Sequence, residues 1–108
     1  MSYTNRIAWE TLRSIDSATL SGSYQAVGSP LVHQSYIFKM VNNSTSLVTV
    51  SIDGATDVDV VPAGAFFLYD ESEGNQAQPA LPAGTQIFVK GSAGTGLIYV
   101  VTQYLITN

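Results

Sequence analysis

This sequence contains no cysteine, and only 11% of its residues carry a charged side chain. Without thiols there are no disulfides, no cysteine-ligated zinc and no thiol nucleophile. The charged share is far below the usual ~25% of globular chains, which removes disorder driven by charge repulsion. Basic residues are the scarcest: Arg6, Arg13, Lys39 and Lys90, scattered along the chain. No basic patch can form to neutralise a row of phosphates, so no direct nucleic-acid partner is expected. No apolar run reaches the ~20 residues of a membrane span, and no membrane partner is expected. The opening MSYTNRIAWE lacks the basic-then-apolar order of a secretory leader, so synthesis in a cytoplasm is expected. A surface this poor in charge leans toward a protein packed against others, because a lone soluble monomer usually carries more.

What is present is short apolar runs separated by Gly, Pro, Asn and Ser, and 45% hydrophobic residues in a chain of 108. That length suits one domain with a modest core. The spacing predicts an all-β fold: a single-domain antiparallel β-sandwich, jelly-roll-like, of about seven or eight strands with an extended N-terminal arm. Residues 1–22 are expected to form the arm and first strand, and 23–108 the sandwich body.

Alternation supplies the strands. SYIFKMVN sets Tyr36, Phe38 and Met40 opposite Ile37, Lys39 and Val41. SLVTVSID sets Val48, Val50 and Ile52 inward, with Thr49 and Ser51 outward. TDVDVVPAG sets Val58 and Val60 opposite Asp57, Asp59 and Val61. TQIFVKG sets Ile87 and Val89 against Phe88 and Lys90. GAFFLYD is apolar on both faces and is expected to be buried on both. TGLIYVVTQYLIT, the longest run, is the expected central strand, with Ile98 and Val100 on one face and Leu97, Tyr99 and Val101 on the other.

The connections follow. Asp53-Gly54 is a hairpin signal, because both turn residues tolerate positive φ. VNNSTS reads as a turn and GSAGTG as a tight connection. The two PAG triplets, Pro62 to Gly64 and Pro82 to Gly84, read as matching corners before strands. In the N-terminal third, an extended stretch from about Trp9 to Leu20 and a short strand at Tyr24 to Val27 are favoured over a short helix near Asn5 to Leu12.

Six of the eight acidic residues fall between Asp53 and Glu73. Asp53, Asp57 and Asp59 are the one weak calcium candidate, but their spacing is not that of an EF-hand. A solvated sheet face that discourages edge pairing is the plainer reading. Paired carboxylates for glycoside chemistry would stand ~5–9 Å apart in a cleft, which nothing here indicates. His33, the single histidine, has Ser35 nearby, but no GxSxG elbow exists; a structural or surface role is expected. One histidine without cysteine gives zinc too few ligands. KGSAGTG lacks the Lys-Ser/Thr ending of a phosphate loop. No catalytic residue and no cofactor is therefore expected. Tyr3, Trp9 and Tyr24 lie in the less regular N-terminal part and are the interface candidates, since aromatic anchors dominate interface energies.

Taken in order, LRSIDSATLSGSYQAVGSPL, IFKMVNNSTSLVTVSIDGATD, VPAGAFFLYD and LPAGTQIFVKGSAGTGLIYVVTQY resemble the small β-rich virion structural proteins of tailed bacteriophages, over roughly Leu12 to Tyr104. The resemblance implies a non-enzymatic component of the virion, made in the host cytoplasm. Its expected partners are the major capsid protein or other virion proteins, and a homo-oligomer is expected. Capsid decoration or cementing is the leading role. A neck or tail ring or fibre-attachment component, and a small carbohydrate-binding β-sandwich module, are the alternatives.

Overall fold

The structure is a computed structural model that describes residues 5–70 and 81–107. It has nine strands among these residues: β1 (Asn5–Trp9), β2 (Arg13–Asp16), β3 (Gln25–Ala26), β4 (Ile37–Ser44), β5 (Val48–Ser51), β6 (Asp59–Val61), β7 (Phe66–Asp70), β8 (Phe88–Gly91) and β9 (Gly96–Thr107). Every strand pairing is antiparallel.

The strands make two sheets. In the first, β9 lies between β4 and the N-terminal strands, and β7 closes the far side; the second runs β3-β8-β5-β6. β1 pairs with the C-terminal part of β9, Trp9 opposite Gln103, while β2 pairs with its N-terminal part, Arg13 opposite Val100. β1 and β2 therefore form one broken rank. With that rank counted once, successive ranks alternate between the sheets except at the central β5–β6 pair. This is the jelly-roll order, a doubled chain folded over on itself.

The N-terminal segment is extended, but it is not one strand from Trp9 to Leu20. It breaks after Trp9, resumes at Arg13, and ends in a 3-10 turn at Ser17–Thr19. The Asp16 carboxylate stops β2 by accepting the Ala18 N–H at 2.9 Å. From Asn5 to Asp16 the chain lies along β9 of its own sheet.

The core is the space between the sheets. Phe38 and Met40 of β4 and Ile98 and Val100 of β9 face Val48 and Val50 of β5, Val61 of β6 and Val89 of β8, all buried. Phe67 meets Phe38 edge-on, with ring centroids 5.3 Å apart. The expected faces of β4, β5, β8 and β9 are the observed ones, and β9 is the central strand.

Four expectations change. Past the end of β5, Ile52 is exposed and Ser51 is fully buried. Ser51 does sit on the outer side, but its own turn folds over it: the Ser51 hydroxyl accepts the Asp53 and Gly54 N–H groups, and Gly54 packs against the Phe88 ring. Asp53-Gly54 is consequently not a two-residue hairpin, since residues 52–58 separate β5 from β6. In β6 it is Val61 that faces the core, and Val58 and Val60 are half exposed. In β7, Phe66 and Leu68 stay 64% and 56% exposed, so this strand is not buried on both faces.

The two PAG corners do match. In each, the residue after glycine donates to the proline carbonyl: Ala65 to Pro62 at 3.0 Å and Thr85 to Pro82 at 3.2 Å. The glycines take φ of 75° and 92°, as this turn geometry demands. Each glycine N–H also reaches across to another segment, Gly64 to Asn42 and Gly84 to Leu31. VNNSTS contributes its first part to β4, and the turn begins only at Thr45. Asn42, fully buried, ties the sheets together: its amide donates to the carbonyls of Ser46 at 2.7 Å and Val61 at 2.9 Å.

Candidate functional site

The acidic turn was the first candidate from sequence. Asp53 uses one carboxylate oxygen to accept Ala55 N–H at 2.8 Å, Thr56 N–H at 2.7 Å and the Ser51 hydroxyl at 2.8 Å. Those hydrogen bonds, the backbone ones foremost, hold its carboxyl far below the ordinary range. Asp57 instead faces Tyr24 and Lys90: it accepts the Tyr24 hydroxyl and pairs with Lys90 Nζ at 3.2 Å. Asp59 accepts its own neighbour, Val60 N–H, at 2.8 Å. The three carboxylates are engaged separately, and among the described residues no group of three His, Cys, Asp or Glu side chains could hold a metal ion. The calcium candidate is not assembled as a ligand set.

Tyr24 is half-buried on the second sheet. Its hydroxyl bonds Asp57, and Lys90 Nζ lies 4.6 Å above its ring centroid. Loss of solvent, followed by the Asp57 bond and the charges of Asp57 and Asp53, pushes the phenol up to about 12. This interface candidate is thus largely engaged with its own surface. Trp9 is the opposite case, 62% exposed at the end of β1. Tyr3 lies outside the described residues.

Sequence reasoning missed a second cluster. Where β1 gives way to β2, Glu10 and Arg13 turn toward the loop that precedes β4. Their side chains are only 3% and 6% exposed, and Arg13 Nη2 donates to Glu10 at 2.8 Å. Glu10 also accepts the N–H groups of Val32 at 3.1 Å and His33 at 2.6 Å, and faces His33 Nδ1 at 3.0 Å. Arg13 donates to the carbonyls of Ser29 at 2.7 Å and Pro30 at 3.0 Å. Burial alone would push the Glu10 carboxyl up; the hydrogen bonds from Val32, Arg13 and His33 together outweigh it and hold the group below its ordinary value. The His33 ring stacks on Tyr104, with centroids 3.6 Å apart and planes 5° from parallel. A groove of about 540 Å³ runs over this cluster, bordered by Trp9, Leu12, Ser14, Ser29 and Val32. The signal in sequence was WETLR, an acid and a base three apart in a chain with few of either.

The third feature is the outer face of the first sheet. Its cross-strand rows read Phe66–Val41–Tyr99, then Leu68–Lys39–Val101, then Ile37–Gln103–Trp9. Phe66, Leu68 and Trp9 are exposed, and the others named are partly so. Lys39 stands in the second row, and Asp70, paired with Ile37, continues the third; these are the charged residues at these register positions.

The fold defines a class: this is a jelly-roll β-sandwich with an apolar outer face on one sheet. No protein-family model and no curated protein matches the chain.

Proposed function

We propose that this chain is a non-enzymatic virion structural protein of a tailed bacteriophage that decorates or cements the capsid, seating its first sheet on the capsid lattice. The observation that carries the reading is the outer face of that sheet, where Trp9, Phe66 and Leu68 stand 62%, 64% and 56% exposed, with Lys39 and Asp70 as the charged residues of their rows. Apolar patches of this kind mark contact surfaces. Covering the exposed part of each such side chain contributes about 1–2 kcal/mol. Many copies on a symmetric shell need only modest affinity each, because neighbouring contacts add. The resemblance to small β-rich virion proteins supports the same reading, as does the recurrence of jelly rolls in viral capsids, an analogy at the level of fold. The polar clusters fit a non-catalytic role, since the carboxylates of Glu10, Asp53 and Asp57 are occupied by internal hydrogen bonds.

Electron microscopy of the particle tests the proposal. Hundreds of copies on capsid joints are expected, with β4, β7 and β9 toward the lattice. A ring of about six to a few dozen copies would instead place the chain at the neck or tail. Its absence from the particle would refute the proposal. Phe66→Thr combined with Leu68→Thr is expected to lower affinity for undecorated capsids by about tenfold or more.

A further inference from the structure

The edge of a β-sheet is a row of backbone groups that invites another strand, and folds blunt it with short strands, charge, proline or bulges. Each sheet here has two edges, and three of these four are blunted. The β1–β2 rank is broken, with Arg6 in its first part and the Glu10–Arg13 pair at the break. β3 has only two residues. β6 has three, opening on Asp59 and ending before Pro62. β7 has none of these devices. Its sequence is FFLYD, with the one charge at the last position. It pairs with β4 residue for residue from Phe66 to Asp70, so it carries no bulge. Among the described residues, β4 is its one partner strand.

One hydrogen bond fixes the phase of this ladder: Asn42 N–H donates to the Ala65 carbonyl at 2.9 Å. In an antiparallel pair, alternate residues turn their N–H and C=O toward the neighbouring strand, and the others turn them away. Counting on from Ala65, Phe67 and Tyr69 address β4. Phe66, Leu68 and Asp70 direct their N–H and C=O to the open side. On that side an apolar opening of about 420 Å³ lies between the sheets, lined by Ile52, Val58, Phe67 and Leu68 among others.

We propose that two copies of this chain join edge to edge through β7, antiparallel, with the two-fold axis at Leu68. In this register Leu68 meets Leu68 of the second copy, and Phe66 meets its Asp70. These are the outward-directed residues, so every outward N–H meets an outward carbonyl. Any other centre leaves one of them beyond the strand or sets outward residues against inward ones. The two Asp70 lie at opposite ends of the junction, roughly 14 Å apart along the strands and beyond a Debye length. Phe66 and Leu68, 64% and 56% exposed in the single chain, gain cross-strand neighbours. A two-fold contact closes on itself, so assembly through this edge stops at a dimer. The contact uses the edge of the sheet rather than its outer face, and it does not rest on a place in a virion.

Sedimentation equilibrium of the full chain from about 1 µM to about 1 mM is expected to show monomer passing to dimer. Amide exchange reads the register. The N–H groups of Phe66 and Leu68 are expected to gain protection as concentration rises, whereas that of Phe67, which addresses β4, is protected throughout. Two substitutions separate edge from face. Leu68→Pro removes an N–H that β4 does not use, and is expected to weaken the dimer by about tenfold or more. Leu68→Thr keeps that N–H and is expected to associate more tightly than the proline variant; the reverse order overturns the proposal. A chain that stays monomeric to about 1 mM also overturns it. So does a dimer that Leu68→Pro leaves as tight, or one that forms without added protection at Phe66 and Leu68. If the proline variant does not fold, the exchange pattern of the unsubstituted chain decides alone. A monomeric chain that still occupies capsids leaves the function proposed above standing, and a β7 dimer absent from virions leaves this proposal standing, so the two fail separately.

Discussion

Glu10 accepts hydrogen bonds from Arg13, Val32 and His33 with a side chain that is 3% exposed. Through it, the break between β1 and β2 is fastened to the loop ahead of β4. Its carboxyl lies below its ordinary value of 4.5 in the folded chain. The unfolded chain therefore takes up the proton first as pH falls, and the stabilisation is whole above 4.5 and lost as pH drops through the lower, folded value. Asp53 and Asp57 are shifted the same way. Stability is thus expected to decline on acidification below about pH 4.5. Glu10→Gln keeps the shape but not the charge, and should cost about 3 kcal/mol at pH 7, because it leaves the Arg13 guanidinium buried without a counter-charge. Urea melts at pH 7 and pH 4 read both effects. The variant's loss between the two pH values should be smaller than the wild type's; an equal loss would show that Glu10 is not a linked group.

At the scale of elements, the glycines of the turns separate two kinds of constraint. Gly64 sits at φ 75° with nothing within 4 Å of where a Cβ would be, so Gly64→Ala meets only backbone strain, about 1–2 kcal/mol. Gly96 opens β9 at φ 104°, and a Cβ there would stand 2.2 Å from the Asn43 carbonyl oxygen. Gly96→Ala should cost clearly more, because β4 and β9 must separate to admit it. Denaturant melts of the two variants give the order; equal losses would mean that the close approach of the strands is not a constraint. The PAG corners were legible because proline and glycine at fixed offsets leave few backbone choices. β4, β8 and β9 were legible because one parity is apolar and the other mixed. β6 was not, because three residues with valine at both parities leave the inward face to tertiary contacts: Val61 is buried and its carbonyl accepts from Asn42. β7 was misread for a related reason. Apolar residues on both faces are the mark of a strand covered on both sides, whether by its own chain or by another molecule. The Glu10 cluster stayed hidden because its partners, Val32 and His33, come from a loop more than twenty residues away and contribute backbone N–H groups that no side-chain pattern encodes.

For the molecule as a whole, the jelly roll places its two sheets under different demands. The second sheet's outer side is partly closed by its own chain, with the 52–58 connection over Phe88 and Tyr24 held by Asp57 and Lys90. The first sheet leaves Phe66 and Leu68 uncovered beside partly exposed Val41, Val101 and Ile37. Residues that contribute to folding are buried in the folded monomer; residues that contribute only to contact are not. Replacing both exposed residues of β7 by threonine, which keeps β-propensity, should therefore shift the unfolding midpoint by little, about 1 kcal/mol or less. The same double substitution should raise solubility of the isolated chain most near its isoelectric pH of about 4.5, where net charge no longer keeps copies apart. Parallel measurement of thermal melting and of precipitation against pH separates the two quantities. Loss of the cooperative melt would assign Phe66 and Leu68 to the fold, and unchanged precipitation would deny this face a part in contact between molecules.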